Sequence, residues 1–331
     1  MGYKKYFSKK WMAFILFTFL LASGCGGGGG GESISTNSSG GGSTSTNPSG
    51  GGSTSSTTSE IGVISGTAVK GPVSGATVIA YAINANGTRG SQIGSAQTDE
   101  QGNFSIPMGN HSGPVMLQMT GGSYLDEATG SQMPMDPNDV MTCVIFHVPG
   151  GSTASGIQIT PLTSMAQSMA QNMSGGMNQT NIALANHSVG NFFGINDILT
   201  THPMNPNVNG SGISAIQDMR NYGMTLAAMS QYAKNTGMPH SSGMVTAMMG
   251  DASDGRMNGL TTGQGGMMGN FHIEMRGGMM GGRTMPPDAG TRGLADAMVQ
   301  FINSPMNRSG LTIQDMQNLM DKLRASNGQI Q

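Results

Sequence analysis

Charge is scarce in this chain of 331 residues: only 10% of them are Asp, Glu, Lys or Arg. Aromatics make up 5%, with a single tryptophan, and there are two cysteines. Each shortage excludes something. A formal net charge of −2 offers no basic footprint, which argues against nucleic acid as a partner. A surface made mostly of Ser, Thr, Asn, Gln and Gly cannot steer charged ligands strongly. Two cysteines cannot build a disulfide framework. Catalytic signatures are missing as well. There is no Gly-x-Ser-x-Gly elbow and no Gly-Lys-Ser/Thr phosphate loop, and Gly-x-Gly-x-x-Gly spacing occurs only inside an oligo-glycine run. The six histidines are scattered, none four residues from another, and the paired zinc ligands of a metallopeptidase are missing. The chain reads as a non-enzyme.

What is present starts with four lysines (Lys4, Lys5, Lys9, Lys10) ahead of an apolar run over residues 11–22. That run is shorter than the roughly 20 residues a spanning helix needs. A basic segment, a short apolar segment and small residues in that order read as an export signal. Leu21-Ala22-Ser23-Gly24-Cys25 resembles the lipobox of bacterial lipoproteins. The resemblance implies cleavage before Cys25, a diacylglycerol on its thiol and acylation of the new amine. Gly26 in the next position, rather than Asp, implies sorting to the outer membrane. Residues 1–24 are then a signal peptide, and the membrane is a partner through the N-terminal lipid. Losing the four signal lysines raises the excess of acidic residues to six. Residues 25–60 are almost only Gly, Ser, Thr and Asn, the composition of a flexible tether. A coil of about 35 such residues has a root-mean-square span of roughly 30–35 Å. With Cys25 acylated, Cys143 has no intramolecular partner. It lies in the strand-like stretch 141–148 and reads as a buried, inert thiol.

From Ile61 the pattern becomes short β-type runs separated by turn residues. Residues 61–69, 76–83, 91–98, 104–107, 115–120 and 141–148 are expected strands, a spacing that indicates a β-sandwich. Ser65-Gly66-Thr67-Ala68-Val69, Gly71-Pro72-Val73-Ser74-Gly75-Ala76-Thr77-Val78 and Thr98-Asp99-Glu100-Gln101-Gly102-Asn103-Phe104 resemble a carboxypeptidase regulatory-like domain. This resemblance implies a transthyretin-like sandwich over residues 61–155, with a binding or spacer role and no activity. The strand and turn signals close on themselves, so this part is expected to fold alone. Asp126 and Glu127 are adjacent and diverge, which suggests a surface turn rather than an acid/base pair.

At Thr160 the apolar period switches from two to about 3.6. Thr160 fits an N-cap and Pro161 the first helical position. Leu162, Met165, Met169 and Met173 form one stripe. Ile182, Ala185, Val189, Phe192 and Phe193 form a second. Residues 213–233 give a third, with Ile216, Met219, Gly223 and Leu226 on one face. Ser241 or Ser242 opens a fourth helix, Leu294 to Ile302 marks a fifth, and Thr312 with Asp315 suggests a capping box for the sixth. Residues 156–331 are therefore an expected all-α domain, interrupted by a Gly-rich loop at 251–290. The overall expectation is α+β and multidomain. The Asp251-to-Gly259 stretch looks like a hydrogen-bonded turn, since it lacks the bidentate Glu of a calcium loop.

Methionine is the one excess. The chain has 31, and all but the two in the signal lie from Met108 onward. In the helices they replace leucine as flexible core fillers. In the Gly-rich loop they cannot. Met267, Met268, Met275, Met279 and Met280, with His272 among them, are soft donors that suit Cu(I) or Ag(I). Two functional expectations result. The first is a non-enzymatic cell-envelope lipoprotein that binds or scaffolds an envelope protein or polymer. The second is a soft-metal binding protein using the Met-rich loop.

Overall fold

A computed structural model describes residues 62–259, 279–280, 283–284 and 286–330. They belong to one compact unit, Ser56–Gln331. The chain is α+β: sheets run through residue 159 and helices follow. Ten strands come first: β1 (Gly62–Ala68), β2 (Val73–Ser74), β3 (Thr77–Ile83), β4 (Arg89–Gln97), β5 (Asn103–Gly109), β6 (Gly113–Thr120), β7 (Ser123–Leu125), β8 (Gln132–Pro134), β9 (Val140–Val148) and β10 (Thr153–Ile159). They form a four-stranded sheet in the order β4-β3-β6-β9, a three-stranded sheet β10-β1-β5 and a small sheet β2-β7-β8. Every pair is antiparallel except β1 with β10, which is parallel.

The helices are α1 (Pro161–Asn172), α2 (Gln179–Phe192), α3 (Gln217–Asn235), α4 (Ser242–Ala252), α5 (Arg292–Ile302) and α6 (Ile313–Ala325), with a short hairpin, β11 (Met279–Met280) and β12 (Arg283–Thr284), between α4 and α5. The expected starts of α1 and α6 are present. Thr160 and Thr163 form a reciprocal capping box with Pro161 in the first turn, and Thr312 and Asp315 form another. The third helix begins later than its apolar spacing suggests. Ile213 and Ile216 lie outside it and are exposed, because the loop before Gln217 is tied to residues 308–309 instead.

One hydrophobic core joins the sheets to the helices, from Ile64 on β1 through Met165 on α1 to Leu323 on α6. The join is made by α1, whose first ten residues are all buried. β9 is the edge of its sheet, and α1 satisfies that edge. Ser164 Oγ accepts from Thr142 N at 2.8 Å, Thr163 Oγ1 donates to Thr142 O at 2.8 Å, and Thr142 Oγ1 donates to Gln167 Oε1 at 3.2 Å. Asn186 of α2 adds a bond to Val144 O at 3.1 Å. Cys143 lies between these positions, fully buried, and burial pushes its thiol far above the ordinary range.

The boundary expected between residues 155 and 156 falls inside β10, and Ile157 and Ile159 of that strand are core residues. A fragment ending at Ser155 loses half of β10 and bares the outer edge of β9. We expect it to melt without cooperativity, with a calorimetric enthalpy that exceeds the van't Hoff value or no transition at all. The full unit should melt as one. A sharp two-state melt of the fragment would show that the β part holds a core of its own.

Candidate functional site

Strand β1 is followed by Val69-Lys70-Gly71-Pro72, a lone lysine where the chain turns. Gly71 has φ of +61°, and a Cβ there would lie 2.2 Å from Leu125 O, so the turn presses against β7. This turn sends the Lys70 side chain inward, where it is fully buried. Its Nζ donates to Glu127 Oε2 at 2.9 Å and to the Ser230 hydroxyl of α3. Ser230 Oγ in turn donates to the same carboxylate oxygen at 2.5 Å, and Gly71 N donates to Glu127 Oε1 at 2.8 Å. The Tyr124 ring lies below the ammonium, its centroid 5.3 Å from Nζ. Burial works against the charge on Lys70, but the attraction of Glu127 and then Asp126 outweighs it and holds the pKa above the ordinary value.

Asp126 and Glu127 are buried, not a surface turn. They do diverge as adjacent side chains must. Asp126 accepts from the Ser241 hydroxyl at the start of α4, while Glu127 meets Lys70 and Ser230. The backbone here is gripped from the helical side as well: Asn207 Nδ2 donates to Glu127 O at 3.0 Å and Lys234 Nζ to Ala128 O at 3.1 Å. Tyr124 OH accepts from Ser242 N at 3.0 Å. The ion pair thus fastens sheet to helices in a place that water does not reach.

Beside it a pocket of about 240 Å³ opens between the two layers. Glu127 forms one wall, and Val69, Pro72, Met204 and Leu226 supply apolar surface. Gln101, Asn103, His202 and Asn205 supply polar groups. Gly223 lets α3 approach the 202–206 segment: a Cβ there would lie 1.9 Å from Met204 O. Partial removal from water lowers the His202 pKa, so its imidazole is neutral at pH 7 and offers one donor and one acceptor. With Glu127 matched by Lys70, the lining carries no net charge. It suits a small neutral ligand with apolar and hydrogen-bonding parts.

The residues singled out in the sequence lie elsewhere. Cys25, Met267, Met268, His272 and Met275 are outside the described residues. Met279 and Met280 form β11, whose backbone pairs with Thr284 and Arg283 of β12. Among the described residues no group of three or more His, Cys, Asp or Glu is placed to hold a metal, and no helix is long and apolar enough to cross a membrane. The 251–259 stretch starts as the end of α4 and continues as a hydrogen-bonded turn, with Asp251 Oδ1 accepting from Asn258 N and Gly259 N. Lys70, His202 and Ser230 escape sequence reading. The one signal is a lysine set between Val69 and Gly71-Pro72 in a chain with so few charges. Comparison with protein-family models and with curated proteins finds no match to this chain.

Two predictions concern the buried charges. Lys70→Met strands Glu127 as an unpaired buried carboxylate and should cost about 3–5 kcal/mol in urea unfolding. Lys70→Met with Glu127→Gln should cost clearly less than Lys70→Met alone, because no charge is then left unmatched. A double variant as unstable as the single one would assign the loss to packing. Asp139 is the second case. Its Oδ1 accepts from Thr246 at 2.6 Å, and burial raises its pKa against the opposing pull of the Ser242 and Thr246 hydroxyls. The folded state therefore takes up this proton more readily than the unfolded chain. Stability should fall as pH rises from the unfolded carboxylate value through the folded one. Asp139→Asn should raise the midpoint at pH 7 and remove that part of the pH dependence in thermal melts.

Proposed function

We propose that this protein is a non-enzymatic lipoprotein of the cell envelope, held by lipid on Cys25, that binds or scaffolds through its folded unit. Residues 61–155 act in this reading as a transthyretin-like, carboxypeptidase regulatory-like module, and residues 25–60 as its tether. The outer membrane is the proposed location, from Gly26 after the lipid-bearing cysteine. The observation that carries the binding role is the pocket between sheet and helices. Its charges are matched, its one imidazole is neutral, and both oxygens of Glu127 are already engaged by Lys70, Ser230 and Gly71 N. Groups so engaged serve to shape and fasten the pocket. An envelope protein or polymer that presents a small neutral group fits it.

The anchor is tested by metabolic labelling with a clickable fatty acid. The wild-type protein should take up the label and lose residues 1–24. Cys25→Ser should take up none and accumulate with its signal uncleaved. Equal labelling of both proteins would remove the lipoprotein reading.

A further inference from the structure

Six large hydrophobic residues are exposed among the described residues, and four of them, Val208, Ile213, Ile216 and Ile313, lie on two segments, 206–217 and 308–315, that hydrogen bonds join. Ile213 is 75% exposed and Ile216 64%. Single exposed aliphatics need no explanation, but four on joined segments do. Backbone bonds hold the two segments together. Gly210 N donates to Arg308 O at 2.8 Å and Gly212 N to Ser309 O at 3.0 Å. Gln217 Nε2 donates to Asp315 O at 3.4 Å, which joins the start of α3 to the start of α6. Arg220 clamps the loop from behind through the Gly212 and Ile213 carbonyls at 2.9 and 3.2 Å.

Ile216 breaks a local rule without structural return. It occupies the N-cap of α3, where no side chain caps the helix. Ser, Thr, Asp or Asn there would add about 1 kcal/mol. Its apolar side chain does not recover that loss by burial. A position that gives up both terms is where a surface function is expected.

We propose that this patch docks on a phospholipid bilayer surface, with Ile213 and Ile216 entering the acyl boundary. Three observations choose a bilayer over another occupant. The tips are aliphatic and stand on a loop and on helix starts. Two basic residues belong to the same segments: Arg308 is exposed and its backbone bonds Pro206 and Gly210, and Arg220 donates to the Ile213 carbonyl. Asp218 and Asp315 lie on the same segments, bonded to Asn196 and to the Thr312 cap, and offset the two arginines, so the pull toward the bilayer is that of the aliphatic tips. The chain itself also supplies reach. The 36 residues between Cys25 and Gly62 extend to ~120 Å at most, enough for any face of the unit to meet the membrane that holds the lipid. This last point rests on the lipoprotein reading. Docking would also orient the pocket, because residues 202–206 on its wall and the aliphatic loop belong to one connection between α2 and α3.

The test uses the unlipidated chain from residue 26 onward, which keeps the whole compact unit. It is mixed with vesicles of phosphatidylethanolamine and phosphatidylglycerol and separated by flotation. Wild type should float with the vesicles. Ile213→Ser with Ile216→Ser should lower the partition coefficient by about tenfold or more. Its melting temperature should hold or rise, since serine supplies the missing cap. Leu184→Ser, at an exposed site on α2, should bind as wild type does. Failure of wild type to float, or equal flotation of the Ile213/Ile216 double variant, overturns the proposal. Fatty-acid labelling at Cys25 is a separate readout, so the lipid anchor and the patch succeed or fail independently.

Discussion

The join between the larger sheets and the helices rests on α1. A helix buried on all sides usually carries apolar residues all round. This one keeps Thr163, Ser164 and Gln167 and spends them on the edge of β9, where an open strand would otherwise invite pairing with another chain. The shortage of charge makes sense in that light. Hydroxyl and amide groups cost less to withdraw from water than ions do, and they can be fully matched by backbone. The same choice recurs where Tyr222 OH, on α3, meets Thr160 and the Ile198 carbonyl. The Lys70–Glu127 pair is the exception. A buried ion pair adds little net stability compared with apolar residues of equal size, but it penalises any packing in which the partners miss each other. Its place between sheet and helix is where such a penalty selects one arrangement.

Local signals were legible and distant ones were not. Thr160-Pro161 and Thr312 with Asp315 announce their helices because capping acts within one turn. The alternating strands β3 and β5 show for the same reason, and β9 shows as a nearly continuous apolar run. β10 has no alternation until Ile157 and Ile159, and it pairs in parallel with β1, which lies some ninety residues earlier in the chain. No turn links parallel neighbours, so no turn residue marks them. The start of α3 was misplaced because Ile213 and Ile216 carry helical spacing while tertiary bonds from Arg308 and Ser309 hold that stretch as a loop. The site was hidden more deeply. Glu127 meets Lys70 across 57 residues and Ser230 across 103. Adjacent acids in a sequence look solvated until the partners that bury them are known.

The methionines of the described residues answer half of the compositional question. Met116, Met119, Met141, Met165, Met224, Met248 and Met320, among others, are buried and fill the join between layers. An unbranched thioether adapts to a gap that neither a strand nor a helix alone has shaped. That is the kind of gap formed where a twisted sheet meets helices at several angles.

Met204 shows how this adaptability borders on function. It is buried, it reaches the pocket, and its carbonyl meets the bare Cα of Gly223. At that contact the connection between α2 and α3 cannot slide along α3. At its root, Asn221 Nδ2 donates to Gly194 O at 2.7 Å, and near its tip Gly210 N is bound to Arg308. A segment fixed at root, middle and tip acts as a stiff strut despite lacking helix or strand. The pocket wall at 202–206 and the aliphatic residues at 208–216 therefore hold a set distance and direction from each other. Whatever meets one of these surfaces meets the other in a defined orientation, and the long irregular connection is where the fold spends its freedom to present both.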